Sequence, residues 1–120
     1  MAEKPFILIV DDSTHVRKAL SAFLSTLSWL KVVREASDVE EALEVIESQP
    51  PDIVLMDVKM PAIGGLEATR MIKERWPGIK VIILTLYPDY LDQAQQAGAD
   101  AFLVKGCSME EISSTICSLN

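Results

Sequence analysis

Phe6-Ile7-Leu8-Ile9-Val10-Asp11-Asp12 is an unbroken apolar run of five residues closed by two acids. A strand with one wet face alternates apolar and polar residues; a continuous run of this length reads as a strand buried on both faces. Further apolar runs follow at Val32–Val33 with their flanks, at Ile53–Met56, at Val81–Leu84 and at Ala101–Val104.

The segments between these runs repeat at three and four, the helical spacing. Val16, Leu20, Phe23, Leu24 and Leu27 form one stripe; Val39, Ala42, Leu43 and Ile46 form a second; Ile112, Ile116 and Leu119 form the last. A third helix, over about Gly65 to Arg75, has the weakest pattern, with Leu66, Ile72 and Trp76 as its inward candidates. Ser37-Asp38-Val39-Glu40 and Ser108-Met109-Glu110-Glu111 both fit the S-x-x-E capping box that opens a helix. Pro88 suits a first helical turn, and Gly98 the position after a helix end. Strand and helix alternating five times predict an α/β fold with a parallel sheet, helices on both faces and right-handed crossovers. For five strands the expected topology is flavodoxin-like, a doubly wound (βα)5 with strand order 2-1-3-4-5. A closed eight-fold barrel needs about twice the length.

The 120 residues suit one domain, residues 1–120, and 49% hydrophobic content is ample for its core. No apolar run approaches the ~20 residues of a membrane helix. Met1-Ala2-Glu3-Lys4-Pro5 passes into the first run without a signal-peptide core, so a cytoplasmic protein with no membrane partner is expected. A net charge of −7 without a basic stripe argues against nucleic-acid binding by this domain alone. Cys107 and Cys117 lack metal-ligand spacing and read as reduced thiols.

Polar residues follow four of the five apolar runs: Asp11 and Asp12 the first, Asp57 the third, Thr85 the fourth, Lys105 the fifth. In an open parallel sheet all these strand ends share one edge, where ligands bind at the point of reversed strand order. Singly, each has an ordinary reading: an Asp after a strand is usually a turn former or cap, Thr85 a strand-end residue, Lys105 a solvated side chain. Together they place three carboxylates at one point, unfavourable unless one is protonated or a cation is present. Oxygen ligands without His or Cys favour a hard ion such as Mg²⁺. Lys105 and Thr85 then read as counter-charge and hydrogen-bond donor for an anion, and the chemistry implied is phosphoryl transfer.

These residues resemble the response-regulator receiver family of two-component signalling over essentially the whole chain. The resemblance rests on Ile7-Leu8-Ile9-Val10-Asp11-Asp12, on Asp52-Ile53-Val54-Leu55-Met56-Asp57-Val58-Lys59-Met60-Pro61, on Gly64-Gly65, on Ile82-Ile83-Leu84-Thr85 and on the stretch Gly98 to Gly106. Each motif alone is weak; all of them in order at this spacing are highly specific.

The resemblance implies a regulatory domain rather than an enzyme with an external substrate, catalysing its own phosphotransfer and dephosphorylation. Asp57 would accept a phosphoryl group from a phosphohistidine on a partner histidine kinase. Asp12 would ligate Mg²⁺ directly, Asp11 largely through water, and the Lys59 main-chain carbonyl would join Asp57 as a further ligand. Lys105 would pair with the phosphoryl group and Thr85 would donate to it. Phe102 occupies the aromatic switch position, and homodimerisation on phosphorylation is a possible output. Gly106 stands where many members have proline, so no cis peptide is expected there; Lys105-Gly106 after Phe102-Leu103-Val104 resembles the NarL/FixJ subfamily. That likeness makes a receiver cut from a longer transcription regulator, with its DNA-binding domain elsewhere, the expected case over a stand-alone regulator.

Leu86 is larger than the usual small residue after the threonine and is expected to narrow access to the site. Lys59 and Tyr87 occupy positions that tune the lifetime of the phosphate in this family. His15 reads as a solvated or capping residue rather than a phosphotransfer histidine, because histidine phosphotransfer modules are helical bundles. A haloacid-dehalogenase-type enzyme would need an acid two residues after its nucleophile, where this chain has Lys59 after Asp57 and Ser13 after Asp11. A flavodoxin-like nucleotide binder would want a Gly-, Ser- or Thr-rich loop in place of the acidic pair. A pseudo-receiver usually lacks an acid or the lysine.

Overall fold

The computed structural model describes residues 4–119. Five strands and five helices alternate: β1 (Phe6–Val10), α1 (Thr14–Leu24), β2 (Val32–Ala36), α2 (Val39–Ser48), β3 (Ile53–Met56), α3 (Gly65–Arg75), β4 (Lys80–Thr85), α4 (Leu91–Ala97), β5 (Ala101–Val104) and α5 (Met109–Leu119). A 3₁₀ turn over Pro88–Tyr90, with proline in its first turn as expected, leads into α4. The sheet is parallel with order β2-β1-β3-β4-β5, the flavodoxin-like arrangement the alternation predicts.

Every residue of β1 and β3 is buried, which explains their lack of alternation. Successive side chains point to opposite faces, and two separate cores result. Leu8, Val10, Val54, Met56, Val81 and Ile83 pack under α2, α3 and α4; Ile7, Ile9, Ile53, Leu55, Ile82 and Leu84 pack under α1 and α5. Each such large side chain, once buried, contributes about 1.5–3 kcal/mol.

Several local expectations shift. β2 runs on through Arg34 and Glu35 to Ala36; as the edge strand it carries polar residues that hid its length. Thr85 is the last residue of β4, not the residue after it. Helix α1 ends at Leu24, and Leu27 packs on the core from the turn beyond. The capping box of α2 sits one residue later than its S-x-x-E spelling. Asp38 is the N-cap, accepting from the Glu41 N–H at 2.8 Å, while the Glu41 carboxylate takes the Ser37 N–H and hydroxyl. The anionic Asp38 is the stronger acceptor for the helix N-terminus. At α5 the Ser108 hydroxyl accepts from the Glu111 N–H at 3.0 Å as expected. In α3 the buried residues are Gly65, Ala68, Thr69 and Ile72, with Leu66 and Trp76 only partly buried; an inward face made largely of small residues leaves a weak apolar stripe. Gly98 closes α4 in the left-handed conformation, at φ 97°.

Candidate functional site

The hydrogen-bond ladder of the sheet runs on past the strand ends and fixes the polar residues there. The Asp11 N–H donates to the Ala36 carbonyl at 3.2 Å, the Asp57 N–H to the Val10 carbonyl at 3.0 Å, and the Lys105 N–H to the Thr85 carbonyl at 2.7 Å. The chain reverses order between β1 and β3, so Asp11 and Asp57 face each other across that point. One carboxylate oxygen from each of Asp11, Asp12 and Asp57 lies within 4.8 Å of the others. Lys105 reaches in from β5, its Nζ 2.8 Å from Asp11 Oδ2 and 3.4 Å from Asp57 Oδ1. The expected convergence is present, with Asp11 and Asp57 buried and Asp12 exposed.

The two buried carboxylates each have one further partner. Asp57 Oδ1 accepts from the Val58 N–H at 2.9 Å, and Asp11 Oδ1 from the Ser13 N–H at 2.9 Å. Burial pushes the Asp57 carboxyl above its usual range and the Asp11 charge adds to this; Lys105 and the Val58 N–H pull back without overcoming it. Burial disfavours the Lys105 ammonium, but the Asp11 hydrogen bond and the charges of Asp57 and Asp11 outweigh that and hold it charged more firmly than a free lysine. The pocket is therefore an all-oxygen set with one exposed ligand and an excess of negative charge. This fits a hard divalent ion that keeps waters and shares its shell with phosphate oxygens.

Thr85 is buried, and its hydroxyl accepts from the Tyr87 N–H at 3.3 Å. The Tyr87 ring in turn carries the Lys59 ammonium, 4.2 Å from its centroid, and meets Tyr90 edge-on at 6.1 Å. Lys59 and Tyr87 are thus partners across the rim. Phe102 lies in register with Ile83, two residues from Val104, which pairs with Thr85, so both side chains belong to the same face of the sheet. It is partly buried beside a cavity of about 220 Å³ lined by Leu91, Ala94, Gln95 and Ala99. Leu86 is 61% exposed; a side chain that free swings aside readily, which weakens the expected narrowing of access.

His15 is exposed in the first turn of α1, where it lines an apolar cavity of about 200 Å³ with Leu20, Lys105, Cys107, Met109 and Ile112. Both cysteines are free thiols. Burial, with the Glu111 charge beside it, pushes the Cys107 thiol up and away from reactivity. Gly106 adopts φ +103°, so the turn after Lys105 is one that glycine makes without strain.

Two contributors have roles that only the packing shows. The Arg17 guanidinium donates to the Asp11 carbonyl at 2.7 Å and is paired with Glu35. Gly65 belongs to the Gly64-Gly65 motif, and the packing supplies its role: its N–H donates to the Val58 carbonyl at 2.8 Å and its Cα lies directly against the Asp57 main chain.

A parallel five-stranded sheet of order β2-β1-β3-β4-β5, with three acids, a lysine and a threonine at its carboxyl edge, defines a flavodoxin-like protein whose acidic pocket is compatible with a divalent cation. The chain belongs to the response regulator receiver domain family, whose description matches residues 7–117. It is a signalling domain, and the two-component resemblance drawn from the motifs, including its NarL/FixJ character, holds. It is 41% identical over 108 residues to the response regulator GacA of Pseudomonas aeruginosa, covering 88% of this chain and 50% of that protein. It is 41% identical over 115 residues to the response regulator UvrY of Escherichia coli, covering 94% and 53%. The chain thus spans about half the length of the curated relatives it matches. Among solved structures it is similar to a LuxR-family DNA-binding response regulator from Staphylococcus aureus (TM-score 0.88, 28% identity, covering 96% of this chain and 98% of that one). It is also similar to the response regulator TrrA from Thermotoga maritima, determined in complex with Mg²⁺-BeF (TM-score 0.88, 32% identity, 97% and 99%). Among the described residues no helix is long and apolar enough to cross a membrane.

Proposed function

We propose that the chain is a phosphorylation-activated switch whose phosphoacceptor is Asp57. The observation that carries this reading is the bridging of Asp11 and Asp57 by Lys105 at 2.8 and 3.4 Å beside the three converging carboxylates. An Asp57 oxygen attacks the phosphorus of a phosphohistidine on a partner histidine kinase. The P–N bond breaks with its electron pair going to the departing ring nitrogen, the imidazole leaves neutral because its other nitrogen carries a proton, and an acyl phosphate remains on Asp57. Lys105, freed from one of its two carboxylates, pairs with a phosphoryl oxygen, and the Thr85 hydroxyl donates to another. Asp11, Asp12, Asp57 and the Lys59 carbonyl are the residues that would hold Mg²⁺, whose charge offsets the carboxylates and the phosphoryl oxygens. Water reaching the same pocket later cleaves the acyl phosphate, returning Asp57 and inorganic phosphate.

Residues 1–120 then act as the receiver domain of a longer cytoplasmic regulator. The relatives, about twice as long, support an output in transcription through a DNA-binding domain outside this chain, with homodimerisation as the step that phosphorylation promotes. The receiver itself contacts neither nucleic acid nor membrane.

With Mg²⁺ and a phosphohistidine donor, the protein should take up one phosphoryl group per chain, released by hydroxylamine as an acyl phosphate must be. Full uptake in the presence of a chelator, or a product stable to hydroxylamine, overturns the proposal.

A further inference from the structure

We propose that Arg17, held by Glu35, is the positioning residue of the acidic pocket: it fixes the Asp11–Asp12 peptide so that both acids face one cation. The inference rests on the cation-binding reading of that pocket.

An arginine on the polar side of a surface helix is ordinarily solvated, yet this side chain is only 12% exposed. Its donors are committed to the rim of the pocket. One terminal nitrogen donates to the Asp11 carbonyl at 2.7 Å, the other to the Thr14 hydroxyl at 3.2 Å, and Nε to Glu35 Oε1 at 3.3 Å. Glu35, from edge strand β2, is itself 19% exposed and takes the Lys18 ammonium on its second oxygen at 3.2 Å. Arg17 thus ties α1 to β2 across the end of β1.

The place of that tie matters because of what else holds Asp11. Its N–H is fixed to Ala36, and its carboxylate to Ser13 and Lys105. Its carbonyl belongs to the peptide group joining it to Asp12, and that group is planar. A short charge-assisted bond to this oxygen therefore sets the plane from which Asp12 begins, beyond the last ladder bond of β1. Asp12 is exposed and lies between a carboxylate neighbour and the helix N-cap Ser13. Repulsion from Asp11 and Asp57 would otherwise turn it outward.

The guanidinium is also a positive charge near a cation site, which opposes binding. The Glu35 pairing offsets that charge locally, so geometry and charge make opposite predictions. The test is Mg²⁺ binding by calorimetry to the unphosphorylated protein, for the wild type and for Arg17→Ala, Arg17→Lys and Lys18→Ala, with urea midpoints in chelator for each. Arg17→Lys keeps the charge but loses the fork that reaches Asp11 and Glu35 together. Lys18→Ala removes only the exposed partner of Glu35. Partners that orient metal ligands typically carry 10–100-fold in affinity. Arg17→Ala and Arg17→Lys should each weaken Mg²⁺ binding about 10-fold or more, with Lys18→Ala within about twofold of wild type. If Arg17→Ala does not fold, Arg17→Lys decides alone. Binding that is unchanged or tighter in the folded Arg17 variants overturns the inference and leaves the pocket reading intact. A wild type that does not bind Mg²⁺ overturns both.

Discussion

The Cα of Gly65 lies so close to the main chain of Asp57 that a Cβ there would stand 1.8 Å from the Asp57 carbonyl oxygen and 2.8 Å from its carbon. Backbone cannot yield as a flexible side chain can, so α3 must move or the Asp57 loop must. Gly65→Ala is therefore expected to lower stability by about 2–4 kcal/mol, at the upper end of overpacking costs. Gly64, where a Cβ would meet only the Val58 carbonyl at 3.3 Å, should tolerate alanine far better. Urea unfolding of both variants checks the contrast; equal midpoints would show that the close approach is not what selects glycine.

The raised carboxyl pKa of Asp57 makes a pH prediction. The folded protein holds that proton more tightly than the unfolded chain, so the ionised form penalises the fold. The penalty is absent below the unfolded value of 3.8, grows as pH rises from there, and is complete above the folded pKa. Asp57→Asn lacks it, so the variant should have the higher urea midpoint at neutral pH without divalent ions. That advantage should shrink as pH falls toward 3.8. An advantage that grew on acidification would reverse the assignment.

Mg²⁺ should raise the thermal midpoint, because a ligand bound only by the folded state stabilises it by mass action. At a hundredfold excess over Kd the gain is about 2.7 kcal/mol. Asp12→Asn removes the exposed carboxylate proposed as a ligand without disturbing the core, and should abolish most of this gain while leaving stability in chelator within about 0.5 kcal/mol of wild type. Differential scanning calorimetry with and without Mg²⁺ decides it.

In the proposed switch, movement of the Thr85 hydroxyl toward a phosphoryl group on Asp57 would take it away from a resting partner. That hydroxyl accepts from the Tyr87 N–H, and Tyr87 carries Lys59 and meets Tyr90. If the hydroxyl moves to a phosphoryl group on Asp57, that N–H would lose its acceptor and space would open for Phe102 to turn inward. Thr85→Ala should leave Asp57 phosphorylatable while removing a coupling of about 1–3 kcal/mol between phosphorylation and association. Labelling and sedimentation on the same sample test this; association that responds to phosphate as in wild type would refute the relay.

The fold was legible because β1 and β3 are buried on both faces, and their short apolar runs, closed by polar residues and alternating with helical stripes, read as strands. The weaker readings fall where the physical signal thins. Edge strand β2 carries Arg34 and Glu35, which interrupt its apolar run, and the inward face of α3 is largely small residues that leave only a weak stripe. The pocket acids and Lys105 were legible from their places directly after strands. Arg17 was not, since its role depends on a carbonyl of Asp11 and a carboxylate on another strand. Gly65 was visible as a motif residue but not as a steric requirement, because only the approach of α3 to Asp57 supplies the reason.

The central claim is that one side chain, Asp57, receives the phosphoryl group. The direct measurement is mass-spectrometric mapping of the acyl phosphate, trapped by borohydride reduction, after incubation with Mg²⁺ and a phosphohistidine donor. The modification should map to Asp57 in the wild type, and Asp57→Asn should show no stoichiometric uptake. A phosphoryl group mapped to His15, or full uptake by Asp57→Asn, would contradict the account.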